Sequence, residues 1–236
     1  MIRKALEYIN ELAQPHVLER DGRTYADKDM EEISPLRYAK QFELTTLTSL
    51  LDYLKSGVDD MPHMFVHVKS PTCVEVFSKL DGDRKRETLV VVNACLPILS
   101  VNTWVDRENF NIALQSKFAP TPDRDLLLQF VGTVESGSVT EYGDDGVTQT
   151  AVIKTGIAKK ETAIIPNPVA LRPYRTFLEV EQPESSFVYR MRDDGRGVSC
   201  AIYEADGGAW RNEAVGNVHA YLANALADCD NFTVIS

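Results

Sequence analysis

Apolar residues three or four positions apart recur in several stretches of the chain, which is the spacing of one face of an α-helix. Thr45 or Thr46 can cap the second of these helices and Gly57 can end it, while Pro15 ends the first. Asp123 is predicted to cap the fourth. The predicted helices lie near residues 2–13, 45–57, 106–118, 123–134 and 210–225.

Segments rich in β-branched residues predict strands between these helices. Three pairs of them flank turns made of Asp and Gly, at residues 81–83, 143–146 and 193–197, and such turns are typical of β-hairpins. The predicted strands are residues 65–68, 73–80, 88–95, 138–142, 147–155, 174–180, 187–191, 198–203 and 232–235.

The mixture of hairpins and separated helices predicts an α+β fold, with an antiparallel or mixed sheet built from hairpins, helices packed on it and an N-terminal helical arm. Regular β-α-β alternation is lacking, so we do not expect a doubly wound nucleotide-binding fold. Polar residues between 21 and 29 are typical of a linker. We therefore predict an N-terminal helix and extended arm over 1–40 and a single α+β domain over 41–236.

Charge narrows the range of partners. The 236 residues carry a formal net charge of −10, and a field of that sign repels nucleic acid and anionic membranes at long range. No apolar run reaches the ~20 residues that a membrane span needs, so we expect no membrane partner. Contact with nucleic acid stays open because a local basic patch could overcome the average charge. The basic run Arg84-Lys85-Arg86 is flanked by acidic residues and is predicted to be a solvated hairpin tip.

The N-terminal residues lack the apolar region of a signal peptide, so we expect a cytoplasmic protein with reduced cysteines. His63 and His67 would lie ~13 Å apart on the strand predicted there, too far to share an ion. The four cysteines are widely separated in sequence, and no complete phosphate-binding loop occurs. We therefore predict no metal and no cofactor.

Glu179 and Glu181 would share one face of the predicted strand over 174–180 and its continuation, ~7 Å apart. Two carboxylates at that separation can serve as general acid and base with a water between them. Arg175 would share the face and could lower their pKa values. The alternating Leu178 and Val180 also fit an ordinary sheet with one solvated face, so both interpretations stay open.

Two further motifs are candidates for binding. The first is Asp206-Gly207-Gly208-Ala209-Trp210. Its glycines before a helix let a ligand approach the exposed N–H groups, although the same residues fit a capped turn with a buried tryptophan. The second is residues 173–177 together with 181–183, because aromatic and Arg residues are enriched at subunit interfaces. The residues predicted at an interface or ligand site are Tyr174, Arg175, Glu179, Glu181, Arg190, Asp206, Gly207, Gly208 and Trp210; no catalytic residue is assigned.

The stretches 173–183, 187–191 and 204–210 resemble uncharacterised proteins of phages and prophages, the YfdQ-like family, and residues 47–53 and 110–116 are similar as well. The resemblance implies a phage or prophage origin and a bacterial cytoplasm. Similar proteins tend to be encoded among early genes for DNA replication and recombination. The family supplies no catalytic residues that could be carried over to this chain.

We therefore predict a non-enzymatic phage accessory protein that forms a homo-oligomer and binds a phage or host protein or a small ligand. One alternative is an accessory factor in phage DNA replication or recombination. Another is a hydrolase that uses Glu179 and Glu181. Whether the protein is an enzyme stays uncertain, with the lack of a complete catalytic motif favouring a binding role.

Overall fold

The computed structural model describes residues 3–5, 8, 16–20, 23–27, 38–82, 84–141, 149–154, 160–164, 167–193 and 197–236. The chain divides into two compact units, Met1–Ala39 and Lys40–Ser236. Each unit is built from its own secondary structure.

The first unit contains a short antiparallel strand pair in the region predicted to be a linker. Strands β1 (Val17–Arg20) and β2 (Arg23–Ala26) run side by side, with Arg20 opposite Arg23. Asp21 and Gly22 between them form a favoured two-residue hairpin sequence but lie outside the described residues. Residues 3–5 and 8 are helical, and the rest of the predicted first helix also lies outside the described part.

The second unit contains a mixed five-stranded sheet, called the first sheet here. Its strands are β3 (Phe42–Leu44), β4 (Met64–Ser70), β5 (Cys73–Ser78), β6 (Thr88–Asn93) and β15 (Phe232–Ile235). They are arranged in the order β15-β4-β5-β6-β3. The outer strands β15 and β3 run parallel to their neighbours, whereas β4, β5 and β6 are antiparallel.

Helices α1 (Leu47–Lys55) and α4 (Trp210–Ala225) pack against one face of the first sheet. The Thr46 hydroxyl caps α1 by accepting the N–H of Ser49 at 3.1 Å, as its sequence predicts. Alternate strand residues supply the sheet side of this core. The core includes Leu47, Leu50, Leu54, Val66, Val74, Val76, Val90, Phe177, Val218 and Leu222.

A second five-stranded sheet is antiparallel throughout; the range 105–106 (β7) is followed across the sheet by 198–204 (β14), 185–193 (β13), 169–173 (β12) and 118–119 (β8). Helices α2 (Arg107–Lys117) and α3 (Pro122–Thr133) pack on it around a second core that includes Phe110, Leu114, Leu127, Leu171, Phe187 and Tyr189. The strands are β7 (Val105–Asp106), β8 (Phe118–Ala119), β12 (Val169–Pro173), β13 (Ser185–Asp193) and β14 (Val198–Glu204).

A three-stranded antiparallel sheet, β11-β10-β9, lies beside β13. Its strands are β9 (Val134–Glu141), β10 (Gln149–Lys154) and β11 (Lys160–Ile164). The predicted hairpin of β9 and β10 is therefore present, although its turn at 142–148 lies outside the described residues.

The architecture confirms the predicted α+β class with mixed and antiparallel sheets. Two details differ. Thr121, rather than Asp123, caps α3, because Pro122 occupies the first helical position. The strand predicted over 174–180 is wrong, since that segment is irregular. In the described part of the chain, no helix has both the length and the apolar character needed to cross a membrane.

Candidate functional site

Residues 174–184 form an irregular connection, called the joint segment here, between β12 and β13. The side-chain amide of Gln182 holds it together from within. Its Oε1 accepts the backbone N–H groups of Arg175 at 3.0 Å and Thr176 at 3.2 Å, and its Nε2 donates to the carbonyl oxygen of Phe177 at 3.0 Å. One buried side chain thus supplies hydrogen bonds that a neighbouring strand would otherwise supply.

The joint segment connects the two five-stranded sheets. The Thr176 hydroxyl donates to the carbonyl oxygen of Pro71, in the turn between β4 and β5, at 2.5 Å. The Phe177 side chain is 1% exposed and belongs to the core of the first sheet. The Tyr174 N–H donates to the carbonyl oxygen of Lys117, at the end of α2, at 2.9 Å. The segment is therefore structural in its backbone and in these side chains.

Arg175 is the centre of the polar contacts in this region. Its side chain is 6% exposed. The guanidinium donates to Glu204 at 2.9 Å and to the Ser185 hydroxyl, and it lies over the Trp210 ring. The Ser185 hydroxyl in turn donates to Asp206 at 2.6 Å. Burial lowers the pKa of Arg175 to about 10, and the carboxylates of Glu204 and Asp206 act in the opposite direction.

Asp206 organises the turn before α4. Its Oδ1 accepts the N–H of Gly208 at 3.0 Å, and both Gly207 and Gly208 adopt positive φ angles that favour glycine. Burial acts to raise the pKa of Asp206, but hydrogen bonds from Ser185 and the backbone outweigh it and leave that pKa below its usual value. The Asp206 carboxylate thus already accepts one of the N–H groups that were predicted to be open to a ligand.

The structure brings together five of the predicted site residues at the start of α4, namely Arg175, Asp206, Gly207, Gly208 and Trp210. They contact their own chain, and Arg175 and Trp210 are buried. This is the arrangement of a capped turn with a buried tryptophan, which the sequence had offered as the alternative to a ligand site.

The two predicted carboxylates do not share a strand face. Glu179 Oε1 accepts the N–H of Thr48 at 3.2 Å, in the first turn of α1. Glu181 pairs with Arg172 at 2.9 Å. Arg190 lies on β13, where its guanidinium donates to the carbonyl oxygen of Tyr189 at 3.3 Å. The paired-carboxylate geometry expected of a hydrolase is therefore lost with the strand that was to carry it.

The two histidines near β4 lie in different backbone conformations. His67 lies on the strand, whereas His63 precedes it with a positive φ angle. Among the residues that the structure describes, no group of three or more His, Cys, Asp or Glu side chains is arranged to hold a metal ion.

A cavity of about 460 Å³, called the α2 cavity here, lies between α2, the preceding segment 99–106 and β14. Ile112 lines it and is 53% exposed, so the cavity opens to solvent. Its polar lining comes from Ser100, Asp106, Asn109 and Lys117. The larger apolar side chains in its walls are Leu99, Trp104, Phe110, Leu114, Phe118 and Ile202.

The polar residues of the α2 cavity differ in what they can offer a ligand. Asp106 caps α2, and its two oxygens accept the N–H of Asn109 at 2.9 Å and the side-chain amide of Asn109 at 2.6 Å. Lys117 donates to the carbonyl oxygen of Ile98 at 2.8 Å. An ammonium group carries three N–H donors, so Lys117 can bond an anion as well.

The wall formed by Phe110 packs on two buried side chains, a tyrosine and a cysteine, that are unreactive at neutral pH. The Phe110 ring stacks on Tyr189, with 5.6 Å between centroids, and the Tyr189 hydroxyl donates to the Cys200 sulfur at 3.3 Å. Burial raises the pKa of Cys200 to about 11, so this thiol stays protonated at neutral pH. Such a wall favours binding over nucleophilic chemistry.

Sequence reasoning identified α2 but not its cavity. The apolar stripe that predicts the helix includes Phe110 and Leu114, whereas the opposite wall comes from an irregular segment with no periodic pattern. A tryptophan in that polar segment, Trp104, was the one feature that could have pointed to it. Arg192 lies over the Trp104 ring at 4.4 Å.

Comparison with known proteins adds no relative: no protein-family model, curated protein or solved structure matches this chain.

Proposed function

We propose that this chain is a non-enzymatic accessory protein of a phage or prophage, and that it binds a small ligand with an apolar body and an anionic head group. The observation that carries the proposal is the α2 cavity. Its volume of about 460 Å³ lies in the range of small-molecule sites, and its walls combine apolar side chains with several polar groups.

The head group is assigned from the hydrogen bonds of the lining residues. Asp106 uses both carboxylate oxygens to cap α2, which orders the start of the helix. Lys117 stands at the other end of the helix with donors to offer, so it would hold an anion. The aromatic rings of Trp104, Phe110 and Phe118 would contact the apolar body.

The proposal is tested with the fluorescent probe anilinonaphthalene sulfonate, which combines an aromatic body with an anionic group. We expect saturable binding of about one probe per chain in calorimetry. An Ala113→Leu variant, which fills the cavity, should abolish that binding, whereas Ala220→Leu on the exposed side of α4 serves as the matched control. Binding that survives Ala113→Leu in a folded variant would refute the proposed site.

The head-group assignment has its own test. A Lys117→Met variant keeps an unbranched side chain and removes the charge, so it should weaken binding of the sulfonate probe about tenfold, as the loss of a charge-assisted hydrogen bond predicts. Binding of the uncharged analogue phenylnaphthylamine should stay unchanged. Equal losses for both probes would contradict the role of Lys117 and leave the cavity itself in place.

Self-assembly is the second part of the proposal. It is supported by Leu178, which is 64% exposed on the joint segment that carries several of the predicted interface residues. Size-exclusion chromatography with light scattering should show an oligomer that a Leu178→Asp variant dissociates. Leu126→Asp, at another exposed apolar position, is the control. A monomeric mass for the unmodified chain would remove this part of the proposal.

The structure affects the two alternative functions, a hydrolase and a factor in phage DNA replication or recombination, in different ways. The hydrolase hypothesis loses its geometric basis, since Glu179 accepts the N–H of Thr48 in the first turn of α1 and Glu181 pairs with Arg172. A role in phage DNA replication or recombination requires a surface suited to nucleic acid, and it stays a prediction.

A further inference from the structure

The face of the first sheet opposite α1 and α4 carries aromatic side chains on its central strands. Phe65 on β4 and Phe77 on β5 are directly opposite each other in the antiparallel register, with ring centroids 5.6 Å apart. Each alternates with buried residues, Val66 and Val76 among them, so the two rings point away from the core. His67 lies beside them, 6.1 Å from the Phe77 ring. We call these three side chains the aromatic sheet face.

A guanidinium group covers both rings. The Arg86 side chain comes from the connection between β5 and β6, and its guanidinium carbon is 5.6 Å from the Phe65 centroid and 5.1 Å from the Phe77 centroid. Arg86 also donates to the carbonyl oxygen of Ser78 at 2.8 Å. Arg84, Lys85 and Arg86 are exposed, as expected of the predicted solvated hairpin tip. Arg86 also folds back over the sheet, because the two rings attract its charge.

The charge of this region differs from that of the whole chain. The loop that carries Arg86 is ordered by Asp81, whose Oδ1 accepts the N–H of Lys85 at 2.8 Å. Residues 64–93 contain five Lys or Arg and four Asp or Glu, whereas the chain as a whole has a net charge of −10. The basic residues of this stretch are Lys69, Lys79, Arg84, Lys85 and Arg86.

We infer that the aromatic sheet face binds single-stranded nucleic acid, a function beyond the proposed ligand binding in the α2 cavity. Bases stack on aromatic rings and on guanidinium planes, and Arg86 over the adjacent rings of Phe65 and Phe77 forms such a platform. Arg84 and Lys85 would contact the phosphates. A duplex, whose bases are already stacked on each other, offers this platform no free ring face.

The test measures fluorescence anisotropy of labelled oligonucleotides of about 20 nucleotides with the full chain at low salt. We expect binding of a single strand that weakens as salt is raised, and much weaker binding of the matching duplex. DNA and RNA strands in separate titrations show which sugar is preferred. No binding of either single strand, or equal binding of duplex and single strand, would overturn the inference.

Variants separate stacking from charge. Phe65→Leu and Phe77→Leu keep an apolar side chain but remove the ring, and each should weaken single-strand binding about fivefold or more. Arg86→Gln should weaken it as well, whereas Arg192→Gln, which removes a guanidinium that lies over the Trp104 ring, should not. Circular dichroism checks that each variant is folded. Leucine variants that bind like the unmodified chain would overturn the stacking role even if Arg86→Gln weakens binding.

Discussion

The guanidinium carbon of Arg175 lies 3.9 Å from the centroid of the Trp210 ring. The same guanidinium is bonded to Glu204 at 2.9 Å, so a buried cation is held between a ring and a carboxylate. Arg175 belongs to the joint segment and Trp210 begins α4. The contact therefore connects the second sheet to a helix of the first sheet.

Removing the charge of Glu204 while keeping the shape of its side chain should destabilise the protein strongly. A Glu204→Gln variant leaves the Arg175 charge buried without its main counter-ion, and we expect a loss of about 2–3 kcal/mol in the free energy of unfolding. Urea denaturation measures it. The double variant Arg175→Met with Glu204→Gln should recover part of the loss, since an apolar side chain needs no counter-ion.

The exposed pair of Glu181 and Arg172 provides the control for that experiment. Their side chains are 72% and 37% exposed, so Glu181→Gln should cost between about 0 and 1 kcal/mol. If Glu204→Gln cost no more than Glu181→Gln, the buried pair would not have the stabilising role assigned to it.

A second variant tests the hydrogen bonds within the joint segment. Gln182→Glu replaces an N–H donor by a carboxylate oxygen facing the carbonyl oxygens of Phe177 and Val180, at 3.0 and 3.3 Å. We expect a loss of about 2–4 kcal/mol at neutral pH, because these acceptors lose their partner and face a negative charge. Gln129→Glu, at an exposed position of α3, should stay within about 0.5 kcal/mol of the unmodified protein. Equal effects would contradict the role of Gln182.

Asp206 makes stability depend on pH in the acid range. Its pKa is lower in the folded protein than the value of about 3.9 of an unfolded chain. At pH values between these two pKa values, the unfolded state therefore binds more protons than the folded state. The stabilisation is therefore present above the unfolded pKa and is lost as pH falls through the folded pKa. Denaturation between about pH 6 and 3 should show a shallower decline for Asp206→Asn than for the unmodified protein. The exposed control Asp60→Asn should leave the decline unchanged, and a parallel decline for Asp206→Asn would refute the assignment.

Substitutions of glycines in α4 and in the turn before it should change the free energy of unfolding in opposite directions. Gly216 lies within the helix with room for a methyl group, so Gly216→Ala should stabilise the protein by about 0.5–1 kcal/mol. Gly208 has a φ of +83°, and Gly208→Ala should cost about 1–2 kcal/mol and displace the Arg211 guanidinium. Gly207→Ala, at a φ of +63° with free space around it, measures the backbone strain alone. Thermal unfolding of the three variants checks the order, and a stabilising Gly208→Ala would contradict it.

Local patterns predicted much of the fold. Leu47, Leu50 and Leu54 recur at helical spacing after a capping threonine, and α1 forms where they predict it. Asp-Gly turns marked the hairpins of β5 with β6 and of β13 with β14, because turn and strand pattern lie next to each other in sequence. Each of these features depends on residues within one short segment.

The errors come from interactions that the hydrophobic pattern does not show, most of them between residues distant in sequence. The joint segment alternates like a strand, but the Gln182 amide satisfies its backbone from within and Phe177 is buried in the other sheet's core. The parallel pairing of β3 with β6 has no turn to mark it. The α2 cavity and the aromatic sheet face likewise join residues whose proximity is set by packing, so neither could be predicted from spacing.

The parallel pairing of β15 with β4 places Phe232 opposite Met64. During synthesis, β4, β5 and β6 leave the ribosome long before the residues of α4 and β15 that complete their sheet and cover Val66 and Leu50. Contacts so far apart in sequence slow folding and leave apolar surface uncovered on the nascent chain. This topology therefore imposes a folding order. The hairpins form early, and the distal end of the polypeptide completes the first sheet late.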